Sequence, residues 1–372
     1  MKKVKIGIAG VGYSSSGTSR GKQIYNEFRK FDEVEVVAVM DPNDKAIEQF
    51  QERHAVERTY TSFQPFIQSG LDAVFIASPL PFHSEQSVMA LNHNVHVLSE
   101  VTAATSIREC AELLKAAKES EAFYMMAENY IYIRENKTIK NMVDAGLFGD
   151  LYYAEGAYLH NIEELYYEND GSPTWRKKYM GNKKGLTYGT HSLGPILEWL
   201  DDQVCLVNCL GTGAHMHPDN NLDDSTTMMC KTKKGALLNI RFDISSKRPH
   251  NMAYYTLQGT KGCYEAPRSD QDMHKVWLED YSKNENEWTP LSHFYSEFLD
   301  SEIMEASDKT KDSNHWGADY FMIKDFIQSM VTEREPSINI YKSLDMTMPG
   351  IISEESILSR GIPIKVPDAR EW

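Results

Sequence analysis

The opening of this chain constrains its fold more than any other stretch. An apolar run, Val4–Ala9, leads straight into Gly10-Val11-Gly12-Tyr13-Ser14-Ser15-Ser16-Gly17, and a helix-period stretch follows at about Gly21–Phe31. Strand, glycine turn and helix in that order form the dinucleotide fingerprint. Gly10 permits the tight turn. Gly12 lets the backbone approach a pyrophosphate, and the helix beyond offers unpaired N–H groups and the positive end of its dipole. Tyr13, Ser14 and Ser15 are the expected cofactor-side loop. The third glycine position holds Ser15, so either a serine replaces the packing glycine or the loop runs two residues further, to Gly17. Asp41 closes the second apolar run, about thirty residues after Gly10. A carboxylate there accepts hydrogen bonds from a ribose diol and repels a 2′-phosphate, which predicts NAD as cofactor over NADP. The same carboxylate can cap the turn into Pro42, and the two roles are compatible.

The first third continues in the same alternation. Val34–Met40, Ala73–Ala77 and Val95–Leu98 read as buried strands. Lys45–His54, Glu85–His93 and Ile107–Glu121 read as helices, the last opened by the capping box Ser106-Ile107-Arg108-Glu109. This predicts an α/β Rossmann domain, a doubly wound parallel sheet, over residues 1–127. The pattern changes near residue 128. A helix at Asn136–Ala145 is followed by strand-like runs at Leu151–Leu159, Val204–Gly211, Thr226–Lys231, Ala236–Phe242 and Ala253–Gln258, and helices return at Tyr320–Thr332 and Ser343–Arg360. Residues 128–340 are therefore expected to form an α+β domain with a large, mostly antiparallel open sheet that serves substrate binding and oligomerisation. Residues 341–372 are expected to be a C-terminal helix and tail packing back on the domains.

Charge and composition narrow the function. The chain carries 54 acidic and 39 basic side chains, a formal net charge of −15. Such a surface repels phosphate backbones, so nucleic acid is not an expected partner. No uninterrupted apolar run is long enough to span a membrane. The apolar core Ile6–Val11 is too short and glycine-rich for an export signal, and Cys110, Cys205, Cys209, Cys230 and Cys263 include no Cys-x-x-Cys pair. A cytoplasmic protein with structural thiols is the expectation. His215-Met216-His217 with Asp219, Asp223 and Asp224 has no fixed third-ligand spacing, so no metal is predicted.

Ser78-Pro79-Leu80-Pro81-Phe82-His83 after the fourth strand and Ser99-Glu100-Val101-Thr102 after the fifth, together with the glycine loop, resemble the Gfo/Idh/MocA oxidoreductase family. The resemblance implies that Ser78, Pro79 and His83 belong to the cofactor site and that Glu100 lies near the nicotinamide ribose. The family's usual Glu-Lys-Pro here reads Glu100-Val101-Thr102, so its proton-transfer lysine is absent. The second part of the chain is similar to glycoside hydrolase family 109, whose members include NAD-dependent α-N-acetylgalactosaminidases. The matching stretches include Ala127-Glu128-Asn129-Tyr130, Ala154–His160, Thr174-Trp175-Arg176, Tyr188-Gly189-Thr190-His191-Ser192-Leu193-Gly194-Pro195 and His315–Tyr320. The chain departs from that family at Gly189, where it has proline, and at Ser192, usually glycine. Family members often associate through the second sheet, which implies a homodimer or homotetramer.

The same residues make chemical sense alone. Removing hydride from a carbinol needs a base for the hydroxyl proton. His191 is the expected base and Tyr188, three residues before it, the second acid/base or orienting group; on a helical turn both face one side. Tyr158 and His160, two apart on a strand, share a face and, with Glu155, could line a sugar pocket. Arg176 beside Trp175 suits a stacked sugar with a charged donor, and the resemblance places His315 near substrate. Three readings follow. The first is an NAD(P)-dependent oxidoreductase moving hydride between nicotinamide and a carbinol carbon of a sugar or sugar derivative. The second is a redox-neutral NAD-dependent glycosidase, working by oxidation at C3, elimination, hydration and reduction. The third is a non-catalytic nucleotide-binding sensor.

Overall fold

The computed structural model describes residues 3–13, 19–168, 170–219, 221–282, 284–306, 310 and 312–372, without the side chain of residue 164. The chain separates into two compact units. The first comprises residues 1–129, 309–344 and 369–372, and the second residues 130–308 and 345–368.

The first unit is built on six parallel strands: β1 (Val4–Ala9), β2 (Val34–Met40), β3 (Arg58–Tyr60), β4 (Ala73–Ile76), β5 (His96–Ser99) and β6 (Tyr124–Met126), in the order β3-β2-β1-β4-β5-β6. This is the doubly wound arrangement expected, with its switch of direction beside β1. Ile6, Ile8, Val74, Phe75, Ile76, Val97 and Leu98 are fully buried, which is why these strands read as continuous apolar runs. Helices α1 (Arg20–Phe28), α2 (Asp44–Gln51), α3 (Phe63–Ile67), α4 (His83–Asn92) and α5 (Ile107–Glu119) connect them. Each of α1, α2 and α5 begins at a side chain that accepts a backbone N–H of the first turn: Ser19, Asn43 and Ser106. The helix Ala318–Val331 also belongs to this unit, with Phe31 stacked on Tyr320 and Phe123 edge-on to Phe326.

The second unit holds nine strands: β7 (Leu151–Leu159), β8 (Val204–Gly211), β9 (Ser225–Thr232), β10 (Leu237–Asp243), β11 (Asn251–Gly259), β12 (Gly262–Glu265), β13 (Lys275–Leu278), β14 (Thr289–Pro290) and β15 (Ile364–Lys365). Their order is β14-β13-β12-β11-β7-β10-β9-β8-β15, antiparallel except for the β7–β10 pair. Helices α6 (Arg134–Asp144), α7 (Trp175–Tyr179) and α8 (Thr190–Leu200) belong here. Gly156 on β7 lets α8 come close, since a Cβ there would lie 2.4 Å from the Ser192 carbonyl oxygen. The Trp199 indole N–H at the far end of α8 donates to the Asn136 carbonyl at 3.0 Å, tying α8 to α6. No described helix is long and apolar enough to cross a membrane.

Candidate active site

In the first unit the two glycines that follow β1 take left-handed backbone. Gly10 and Gly12 have φ of 86° and 65°, and a Cβ on Gly10 would lie 2.6 Å from the backbone of Ala77 and Ser78. Tyr13 is half exposed, while Ser14 and Ser15 lie outside the described residues, as does Gly17. The close-packing glycine is Gly21, which neither alternative for the third position had named. A Cβ there would come within 2.4 Å of the Gly10 carbonyl oxygen, so helix and strand touch through it. Ser19 secures this start, its hydroxyl donating to the Val11 carbonyl and accepting from Lys22 N–H. The signal was the Arg20-Gly21 pair, four residues beyond the glycine position that the sequence offered last.

Asp41 is buried at the end of β2. Its Oδ2 accepts from Gly12 N–H at 2.7 Å and its Oδ1 from Asn43 N–H at 3.0 Å. It therefore braces the glycine turn and caps the turn into α2 together. Burial pushes its carboxyl upward, opposed by those two N–H donors.

The loops that follow β4 and β5 are clamped by His83. Its Nε2 lies 2.8 Å from the Ser78 carbonyl oxygen and its Nδ1 3.0 Å from that of Thr102. Both ring nitrogens thus face backbone carbonyls, to one of which the neutral ring donates its single N–H, and the ring is buried between the Ser78-Pro79 and Glu100–Thr102 segments, which makes His83 a positioning residue. Burial lowers its pKa, against the pull of the two carbonyls. Pro79 accepts from Phe82 N–H at 2.9 Å, starting the turn into α4.

Glu100, just past β5, joins a partly buried charge network. Arg20 Nε meets Glu100 Oε1 at 2.6 Å, and the two terminal nitrogens of Arg20 grip Asp319 at 2.6 and 3.0 Å. Asp319 also accepts from the Asn129 amide at 2.8 Å and lies 3.0 Å from His315 Nδ1. Arg20 and His315 hold the Asp319 carboxyl well below the usual carboxylate range despite full burial, and the two carboxylates hold Arg20 above its ordinary value. Arg20 was not singled out in the sequence, and Asn129 and Asp319 stood in matching stretches but were given no role. His315, expected at the substrate, sits in the first unit on Asp319.

These features fit a dinucleotide. Two left-handed glycines make the turn that leads to the N-terminus of α1, and a carboxylate stands at the end of β2, braced by the second of them. Asn129 Oδ1 is buried without a hydrogen-bond partner among the described residues, just past β6 at the carboxyl edge of the sheet.

The second unit gathers the expected acid/base residues. His191, in the first turn of α8, is buried. Its ring stacks on Tyr130 at 4.1 Å and 15°, lies 5.8 Å from Tyr158, and meets Tyr188 edge-on at 5.1 Å. Tyr188 is on the turn just before α8 and lies 6.2 Å from Tyr158. His160 extends the group, 5.8 Å from Tyr158 and with Nδ1 3.4 Å from His250 Nε2. Tyr130 and His250 are the residues that sequence reasoning missed; Tyr130 stood in a matching stretch but was given no role.

The backbone of α8 explains how His191 is held. Pro195 has no N–H to offer the carbonyl four residues back, that of His191. That carbonyl instead accepts the hydroxyl of buried Tyr255 from β11. Glu155 corrects the expectation for β7. Gly156 and Tyr158 face α8, whereas Glu155 has the opposite parity and accepts from Tyr153 hydroxyl at 2.6 Å on the other face. Arg176 stacks over Trp175, 4.7 Å from its ring, and the described contacts do not bring it to His191. The His215 loop is closed on itself. His215 Nε2 lies 2.8 Å from the Thr212 carbonyl, and Asp224 accepts from His215 and Met216 N–H. Among the described residues no group of three or more His, Cys, Asp or Glu is placed to hold a metal.

Comparison with known proteins bears on both units. Residues 4–128 match the oxidoreductase family NAD-binding Rossmann fold, and residues 132–210 and 211–371 match the glycosyl hydrolase 109 C-terminal domain. A glycosyl hydrolase family 109 protein of Saccharopolyspora erythraea is 26% identical over 98% of this chain and 83% of its own. An alpha-N-acetylgalactosaminidase of Shewanella oneidensis is 24% identical over 99% of this chain and 85% of its own. Among solved structures, a levoglucosan dehydrogenase in complex with NADH and L-sorbose superposes with a TM-score of 0.82 at 16% identity, covering 99% of this chain and all of that one.

Proposed function

The chain belongs to glycosyl hydrolase family 109, and from that premise we propose that His191 takes the proton from a sugar hydroxyl whose carbon gives up hydride. The protein is an NAD-dependent enzyme of the Gfo/Idh/MocA oxidoreductase type. NAD supplies the hydride acceptor and donor when bound. In the first unit Gly10, Gly12 and Asp41 would hold it, with Glu100 toward the nicotinamide ribose and His83 keeping the flanking loops in register. In the second unit His191 accepts the hydroxyl proton. Tyr188 orients that hydroxyl, and Tyr158 and His160 bind the ring. The observation that carries this reading is the clasp of three tyrosines around His191, with the missing lysine at Val101 leaving the imidazole as the base.

Val101 and the alpha-N-acetylgalactosaminidase relative also support a second outcome at the same site. The carbinol is oxidised at C3, the acidified C2 proton is lost, the aglycone leaves, and water adds before C3 is reduced. One experiment separates the readings. The protein is incubated with aryl glycosides and with free sugars while phenol release and reduced-nicotinamide absorbance are followed. Net reduction with free sugars marks the dehydrogenase. Phenol release without net reduction marks the redox-neutral glycosidase. Cofactor binding with neither signal leaves a nucleotide sensor.

Two further proposals have narrower support. All five cysteines are unpaired thiols, which suits a cytoplasmic enzyme. The sheet face opposite α8 carries Leu210, Met229 and Leu237, each more than a third exposed, which suits a homodimer or homotetramer.

A further inference from the structure

Asp319, in the first turn of the helix Ala318–Val331, is fully buried, and each of its oxygens is met by two groups of the first unit. Oδ1 accepts from Arg20 Nη2 at 3.0 Å and from the Asn129 amide at 2.8 Å. Oδ2 accepts from Arg20 Nη1 at 2.6 Å and lies 3.0 Å from His315 Nδ1. A buried carboxylate demands such pairing. The pairing also fixes two further acceptors. With both terminal nitrogens on Asp319, the Arg20 guanidinium turns its Nε to Glu100 Oε1 at 2.6 Å and so holds that carboxylate just past β5. An ionised carboxylate only accepts, so Asn129 turns its amide nitrogen toward Asp319 and its oxygen away. That oxygen is the one buried without a hydrogen-bond partner among the described residues.

A network that served only to pin this helix to α1 would satisfy every member, because a buried acceptor without a donor costs free energy. Glu100 and Asn129 stand past β5 and β6, paired neighbours in the sheet, at the carboxyl edge where open α/β sheets bind their ligands. The nicotinamide riboside half of NAD brings the matching donors, two ribose hydroxyls and a carboxamide NH2. We infer that Asp319 is a positioning residue for that half of the cofactor: through Arg20 it aims Glu100, and through the Asn129 amide it aims a second acceptor. Its role is indirect, exerted by the two residues it holds. The inference rests on the placing of Glu100 toward the nicotinamide ribose proposed above.

The test is calorimetric titration of the full chain with NAD and with ADP, which lacks the nicotinamide riboside, alongside urea melts that establish folding. In Asp319→Asn the new amide can donate to Asn129 Oδ1 and close that acceptor, while Arg20 loses one of its two oxygens. The Kd for NAD is expected to rise at least about tenfold and that for ADP to stay within about twofold. Arg20→Lys keeps the charge but not the fork, so it should raise the NAD Kd at least about threefold with ADP again within about twofold, and it carries the test if D319N does not fold. In an Asn129→Leu background the acceptor is already gone, so the D319N effect on the NAD Kd should shrink at least about threefold. An unchanged ratio of NAD to ADP affinity in D319N, or in R20K where D319N does not fold, overturns the inference alone. Equal losses for NAD and ADP also overturn it, since the network would then be supporting the whole unit. A wild type that binds ADP as tightly as NAD overturns the placing of Glu100, and the inference with it.

Discussion

The imidazole of His191 lies nearly parallel to the ring of Tyr130, 4.1 Å away and 15° from coplanar. With Tyr158 also ring-to-ring at 26°, the stack leaves the imidazole edge as its hydrogen-bonding side. His191→Ala should lower kcat at least ~10²-fold, as expected for loss of a general base, while NADH binding measured by fluorescence stays within about twofold. Tyr130→Leu should lower kcat by roughly tenfold with little change in KM, since the stack orients the base without holding substrate. Steady-state kinetics of the two variants with the best substrate from the glycoside and sugar assay would check this. Full activity in H191A would remove His191 from the mechanism.

Pro195 and Tyr255 should be coupled through the His191 carbonyl. Tyr255→Phe leaves that buried oxygen without its hydroxyl donor, at a cost of about 1–3 kcal/mol. In a Pro195→Ala background the restored N–H can pair with the same carbonyl, so the Tyr255→Phe penalty should shrink by about 1 kcal/mol. A denaturant double-mutant cycle measures the difference, and additive penalties would contradict the proposed competition.

Asp319 makes the first unit acid-sensitive. Its folded pKa is depressed by Arg20 and His315 from a starting value of 3.8, so its contribution is fully present above that value and is lost as pH falls below it. Asp319→Asn should destabilise the protein by about 3–5 kcal/mol at pH 7, because Arg20 loses a buried partner. The gap between wild type and D319N should narrow between about pH 4 and pH 2, followed by urea melts across that range.

Asp41 should set the choice of dinucleotide. Removing its carboxylate in Asp41→Ser takes away the charge that opposes a 2′-phosphate, and the ratio of NADP to NAD affinity should rise by at least about tenfold. Asp41 also braces Gly12 N–H, so NAD affinity itself should fall. Titration with each nucleotide decides it, and an unchanged ratio would mean discrimination lies elsewhere.

Legibility in the sequence followed the range of the interactions. The parallel strands could be read because burial on both faces leaves continuous apolar runs, and β7 and β8 were found residue for residue. The strand Arg58–Tyr60 was missed because it is three residues long and none of them is fully buried. Helix α8 was legible only as a conditional turn, because Gly194-Pro195 reads as a break; Tyr255, distant in sequence, supplies the bond that Pro195 removes. At the candidate site, His191 and Tyr188 stand three apart and could be paired from spacing. The Arg20–Asp319 pair spans 299 positions, and no local pattern announces it.

Gly156 contributes no side chain, yet it governs the standoff between β7 and α8. Even a methyl group there would strike main chain at Ser192, one residue past His191, and the helix would have to ride higher on the sheet. The altitude of the imidazole is therefore dictated by a hydrogen atom on a neighbouring strand, and a mutational scan that weighed only side-chain chemistry would pass over one of the most intolerant positions in the chain.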